Sequence, residues 1–133
     1  MKKIFLISFT DNGQALAEKL ACGLNQKEME AQAFRCGNTL SLSAFASQGF
    51  RKADALIFVG AMGIAVRAIA PHVVSKVKDP AVVVIDDKGN NTISVLSGHL
   101  GGGNELTHRS KSCNNDGYRC SGCFCYRPLD KEE

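Results

Sequence analysis

The residue types best suited to chemistry gather in two glycine-bearing segments, Gly60-Ala61-Met62-Gly63 and Gly98-His99-Leu100-Gly101-Gly102-Gly103-Asn104. Each follows an apolar run of strand length and precedes a helical pattern. In open α/β sheets, ligands bind in such strand-to-helix loops, beyond the carboxyl ends of the strands. Glycine lets backbone amides approach a ligand closely, and amides at a helix start favour anions. The two loops therefore point to a polyanionic ligand, with carboxylates as suitable as phosphates. Neither loop has the spacing of a P-loop or of the dinucleotide fingerprint, so nucleotide binding gains no support. The competing reading is that both are tight turns that let helices pack on the sheet.

Side chains near these loops extend the list. Arg67 is the one charge between Ile64 and Ala70. It is either a solvent-facing position with its stem laid on apolar surface or a bidentate clamp for a ligand carboxylate. His99 lies inside the second loop, where an imidazole can act as acid or base near neutral pH or serve structure alone. Asp86 and Asp87 close an apolar strand, where a carboxylate can face a ligand crevice; the alternative is turn formation before Lys88-Gly89, favoured for Asp87. Asn104 and Glu105 open the next helix, which they can cap, or they can hydrogen-bond a substrate.

The elements that must position these groups alternate. Lys3–Phe9 is a nearly continuous apolar run, as in a strand buried on both faces of a parallel sheet. Thr10 or Asp11 can cap a helix whose apolar face carries Leu16, Ala17, Leu20, Ala21 and Leu24. A strand at Ala31–Arg35 and a helix at Leu40–Gln48 follow. Ala53–Gly60 reads as a buried strand that turns directly into a helix, Ile64–Ala70, interrupted at Pro71. After the Asp79-Pro80 turn come strands Ala81–Asp86 and Thr92–Leu96, joined by Asp87-Lys88-Gly89-Asn90, and a last helix is expected from about Gly103. The alternation predicts an α/β fold with a mostly parallel sheet and flanking helices.

Composition limits the function classes. The chain has 133 residues, 44% hydrophobic and 22% charged, in the range of one soluble globular domain. No apolar run reaches the roughly 18–20 residues of a membrane helix. The opening run breaks at Thr10-Asp11-Asn12, so it reads as a strand rather than a signal peptide. A net charge of +3 with scattered basic residues gives no nucleic-acid footprint.

Three longer blocks carry a resemblance. Gly60–Pro71, Lys78–Asp86 and Ile93–Leu106 resemble, in order and spacing, the signature of the CbiG family, the cobalt-precorrin-5A hydrolases of anaerobic cobalamin synthesis. The resemblance covers about residues 1–106, which corresponds to the family's N-terminal α/β region. Gly103 departs from the alanine usual in the family. The resemblance implies a cytoplasmic enzyme acting on a ring-contracted cobalt tetrapyrrole. Water opens the δ-lactone on ring A and a fragment leaves as acetaldehyde. It implies substrate contacts from Gly60, Gly63, Arg67, Asp86, Gly98, Gly101, Gly102, Asn104 and Glu105, and acid–base work by His99. The amides between Gly98 and Gly103 are then expected to stabilise negative charge. Cobalt arrives with the substrate, so no cofactor and no protein-bound metal are implied.

Residues 107–133 read differently. Of six cysteines, Cys113, Cys120, Cys123 and Cys125 fall here, and only Cys22 and Cys36 fall elsewhere. Four thiolates can hold zinc or an iron–sulfur cluster, although this spacing is not a standard one. The genetic code offers the other reading. Cysteine codons are TGY, so one base later each cysteine yields alanine or valine. Cys123–Pro128 then accommodates Ala-Ser-Ala-Thr-Asp, close to the end of the family's next strand. The expectation is a frameshift after Leu106, leaving a disordered tail and a truncated hydrolase domain that is inactive alone. The alternatives are a non-catalytic tetrapyrrole-binding module and a small metal-binding protein using the cysteine tail. The sequence leaves oligomeric state open. Sequencing the locus tests the frameshift: the plus-one frame past residue 106 is expected to continue the family pattern, and a plus-one frame that does not continue it ends the idea.

Overall fold

In a computed structural model, β3 (Ala55–Val59) is buried at every residue and pairs in parallel with β1 (Lys3–Ser8) on one side and β4 (Ala81–Ile85) on the other. The structure describes residues 2–26, 29–37, 40–75 and 78–96, and the backbone of Arg119–Cys120. The strand order is β2-β1-β3-β4-β5-β6, with β2 at Glu30–Arg35, β5 at Asn91–Leu96 and β6 at Arg119–Cys120. Only the β4–β5 pair is antiparallel, so the sheet is mixed and mostly parallel, as the alternation of elements predicts.

The unbroken apolar runs make sense in this setting, because helices cover both faces of the parallel strands. Helix α1 (Asp11–Asn25) buries Ala17, Leu20, Ala21 and Leu24 against Ile4, Leu6, Ile57, Val59, Val83 and Ile85. The opposite face packs Phe45 of α2 (Leu42–Lys52) and Ala65 and Ile69 of α3 (Met62–Ile69) against Ile7, Leu56, Phe58, Val82 and Val84. Alternate residues of each strand thus feed the two cores, as the period-2 geometry of strands requires.

Helix α2 begins and ends later than the expected Leu40–Gln48. Ser41 supplies the N-cap, accepting from the Ala44 amide at 3.1 Å, so the helix cannot include Leu40. Arg51 and Lys52 in its last turn suit the negative end of the helix dipole and prolong it. Helix α3 starts at Met62, two residues before the apolar pattern is unambiguous, and passes at Pro71 into a 3-10 turn, Ala70–His72. The helix expected from Gly103 lies outside the described residues. Where β2 begins, the Asn25 side chain holds Ala31 by both backbone groups: its Oδ1 accepts from the amide at 2.9 Å and its Nδ2 donates to the carbonyl at 3.3 Å. Among the described residues no helix is long and apolar enough to cross a membrane.

The α2–α3 face centres on aromatics. Phe45 packs edge-on against Phe34 at 5.8 Å and Phe58 at 5.6 Å, and Phe5 meets Phe34 at 5.3 Å. Such pairs add to the stabilisation from buried area alone. Phe45→Ala is expected to cost about 3–5 kcal/mol, read as a lower urea midpoint with an unchanged slope.

Candidate functional site

The connections create a crevice. From β1 the chain crosses to β2 through α1 on one face. From β2 to β3 and from β3 to β4 it crosses through α2 and α3 on the other face. The strand order therefore reverses between β1 and β3, and ligand sites in open α/β sheets lie at the carboxyl ends of the strands at such a switch point. Here those ends are Ser8-Phe9-Thr10 and Val59-Gly60-Ala61, with Ile85-Asp86-Asp87 beside them.

Two of the three helices satisfy their first amides with their own hydroxyls. Thr10 caps α1 by accepting from the Gly13 amide at 2.9 Å, and Ser41 caps α2. Helix α3 has no side-chain cap, because Ala61 occupies the N-cap position. The first amides of a helix have no partner within it, so those of Met62 and Gly63 have neither an intrahelical acceptor nor a side-chain cap. Arg67 is exposed and makes no hydrogen bond or ion pair among the described residues. Helical side chains lean toward the N-terminus, and the Arg67 guanidinium follows that lean. Its Nη1 lies 3.5 Å from where a Gly63 Cβ would stand, with no other atom nearby. The guanidinium thus lies over Gly63 beside the uncapped helix start, and together they make a compact anion-favouring group.

The other candidate residues have different fates. Gly60 is packed against an aromatic ring: a Cβ there would come within 2.9 Å of Phe9 Cδ2. Asp86 is committed to the β4–β5 hairpin. Its Oδ1 accepts from the amides of Lys88 and Asn90, both at 3.0 Å. Its Oδ2 accepts from the Asn91 amide at 3.1 Å and from Asn91 Nδ2 at 3.0 Å. The turn also uses Gly89 at φ 78, a conformation open to glycine. Asp87 reaches toward α1, where Thr10 Oγ1 donates to its Oδ2 at 3.5 Å, a long and weak bond. Sequence reasoning missed this link, which spans 77 positions and leaves no local pattern. A second surface link was also missed: Arg35 Nη1 donates to Asp11 Oδ1 at 3.1 Å and to Gln14 Oε1 at 2.6 Å. His99, Gly98, Gly101, Gly102, Asn104 and Glu105 lie outside the described residues, as does the side-chain set Cys113, Cys120, Cys123 and Cys125. Among the described residues no group of three or more His, Cys, Asp or Glu side chains could hold a metal ion.

Comparison with known proteins places this geometry. Residues 44–115, just over half of the chain, match the family model described as "Cobalamin synthesis G N-terminal"; the match runs past Leu106 to Asn115. A protein of Salmonella typhimurium named "Cobalt-precorrin-5A hydrolase" is 44% identical over 110 residues, which is 80% of this chain and 31% of that one. A protein of the same name from Priestia megaterium is 60% identical over 58 residues, 44% of this chain and 16% of its own length. This chain therefore spans about a third, or less, of the curated relatives it matches. The crystal structure of a cobalamin biosynthesis protein G homolog from Sulfolobus solfataricus superposes with a TM-score of 0.76 at 28% identity, covering 89% of this chain and 35% of that one.

The bonds of Asp86 generate a stability prediction. Asp86→Ala leaves three backbone amides and one side-chain amide of the turn without their acceptor. It is expected to cost about 1–3 kcal/mol, with faster hydrogen exchange at Asn90 and Asn91. Unchanged exchange there would show that the turn holds itself.

Proposed function

The chain belongs to the cobalamin synthesis G N-terminal family, and on that premise we propose that it forms one wall of a cobalt-precorrin-5A hydrolase site. One observation carries the proposal: a relative bearing that name shares 44% identity with this chain over 110 residues. The geometry supports it. A cobalt-precorrin carries many acetate and propionate side chains. An exposed guanidinium lying over Gly63, next to an uncapped helix start, is suited to hold one of them in bidentate fashion.

In this proposal the substrate's δ-lactone is opened by water. The nucleophile adds to the lactone carbonyl, the ring C–O bond breaks, and a carboxylate and an alkoxide result. Collapse of the alkoxide breaks its carbon–carbon bond to the macrocycle, which takes up a proton, and the two-carbon fragment leaves as acetaldehyde. His99 is the group proposed to take the proton from water. The amides from Gly98 to Gly103 are proposed to face the oxyanion, and Asn104 and Glu105 to bind the substrate's polar edge. Arg67 and the α3 amides hold the substrate and stay outside the bond-breaking steps. Asp86 contributes indirectly, by shaping the hairpin beside the crevice. No resident cofactor is needed, since cobalt enters with the substrate, and a cytoplasmic site of action goes with this reading.

A large macrocycle needs contacts from more than one surface, so the role proposed for these residues is to hold one side of it. The codon relationship across Cys123–Pro128 supports a shifted frame after Leu106 as the origin of the tail. The test combines two measurements on the full chain. Titration with a cobalt tetrapyrrole bearing free carboxylates is expected to give saturable binding, weakened about tenfold by Arg67→Ala and less by Arg67→Lys. Acetaldehyde release from cobalt-precorrin-5A is expected from an intact relative and not from this chain alone. A wild-type chain that shows no saturable binding sinks the proposal.

A further inference from the structure

Phe9 and Gly60 each lie one residue beyond the last recorded pair of the β1–β3 ladder, Ser8 with Val59. A Cβ on residue 60 would stand 2.9 Å from Phe9 Cδ2 and 3.4 Å from Cε2. Real Cβ atoms do not come so close, so the glycine makes room for an aromatic ring. That ring packs on the α2–α3 core, where Met62 packs as well, yet it remains partly exposed. It ends β1 at the switch-point crevice, beside the turn that leads into α3.

The groups assigned so far reach only the periphery of a flat macrocycle. A guanidinium and backbone amides bind carboxylates and leave the ring face without a contact. Ligand sites usually combine a few polar groups with apolar and aromatic lining, and an aromatic ring offers a large rigid area with a preference for offset stacking. We propose that Phe9 is a binding residue whose ring stacks on the face of the tetrapyrrole, and that Gly60 is the positioning residue that lets the ring lie there. The inference rests on the tetrapyrrole reading above and adds a selectivity to it. The crevice distinguishes a macrocycle from any other polycarboxylate through Phe9, while Arg67 does not.

The test titrates the full chain with two probes. One is a cobalt corrinoid with free carboxylates, cobyrinic acid. The other is butane-1,2,3,4-tetracarboxylate, which has the charges and no ring. Phe9→Leu keeps apolar volume in the core and removes the flat ring. It is expected to weaken corrinoid binding about five- to tenfold, to leave the tetracarboxylate within about twofold, and to be rescued by Phe9→Tyr. Gly60→Ala is expected to give the same split by displacing the ring. If Phe9→Leu does not fold, Phe9→Met, unbranched and similar in volume, takes its place with the same expected split. A folded Leu or Met variant that binds the corrinoid like wild type overturns the role of Phe9 and leaves the tetrapyrrole reading standing. Equal weakening of both probes also overturns it, since the loss is then general. A wild-type chain that binds neither probe, or only the tetracarboxylate, overturns the tetrapyrrole reading itself and this inference with it.

Discussion

The fold depends on the burial of β3 from both sides. Ala55, Ile57 and Val59 enter the core beneath α1, while Leu56 and Phe58 enter the core beneath α2 and α3. A slip of one residue would exchange these sets and leave Phe58 facing a helix shaped for alanine and leucine. The register with β1 and β4 is therefore fixed by two independent packings at once. That fixation has a direct consequence at the carboxyl end. Because Val59 must pair with Ser8 and Ile85, Gly60 must meet Phe9, and the Gly60 amide donates to the Ile85 carbonyl at 2.8 Å. The start of α3, and with it the guanidinium of Arg67, inherits its position from the core.

The carboxyl edge of the sheet is electrostatically uneven for local reasons. Asp11 opens α1, and Arg35 answers it with an ion pair at 3.1 Å. Asp11 is almost fully solvated, so this pair contributes little to stability; its effect is to occupy the Arg35 charge. Asp86 turns its carboxylate inward to the hairpin. The α1 and α2 starts carry hydroxyl caps. Among the described residues the α3 start, with Arg67 beside it, is the α-helix start left without a hydroxyl cap.

Much of this was legible in sequence, and the reasons differ by element. β1, β3 and β4 announce themselves because doubly buried strands need no polar alternation. The α1 face is legible because leucines at i, i+4 and i+8 have few other uses. Arg67 stood out as the one charge in an apolar helix, and the resemblance gave it a role. The misses share a cause. The packing of Gly60 on Phe9 and the link from Thr10 to Asp87 are decided by partners far away in sequence, whereas Thr10 caps α1 as expected. For Asp86 the sequence offered both a crevice and a turn; its turn donors come within reach because β5 returns antiparallel to β4. The α2 boundary was set by a hydroxyl cap, which apolar periodicity does not register.

Stability and chemistry are arranged differently along the chain. The strands β1, β3 and β4 are covered on both faces. β5 is covered less well, with only Thr92 buried outright, and the buried hydroxyls of Thr92 and Ser94 make no hydrogen bond. Each unpaired buried hydroxyl costs about 1–3 kcal/mol, so among the described residues β5 is less self-sufficient than β1, β3 and β4. Phe9, Gly60, Gly63 and Arg67 all sit on β1, β3 and α3, inside the well-covered part. The residues proposed to move protons and to stabilise the oxyanion follow β5 in sequence. Under the proposed function, recognition of the macrocycle is built on the strands that helices cover on both faces. Under the same proposal, the chemical step falls to residues that follow a strand less fully covered than β1, β3 and β4. In that proposal, substrate binding is expected to survive changes beyond β5 that abolish turnover, which separates holding from cleaving along the chain.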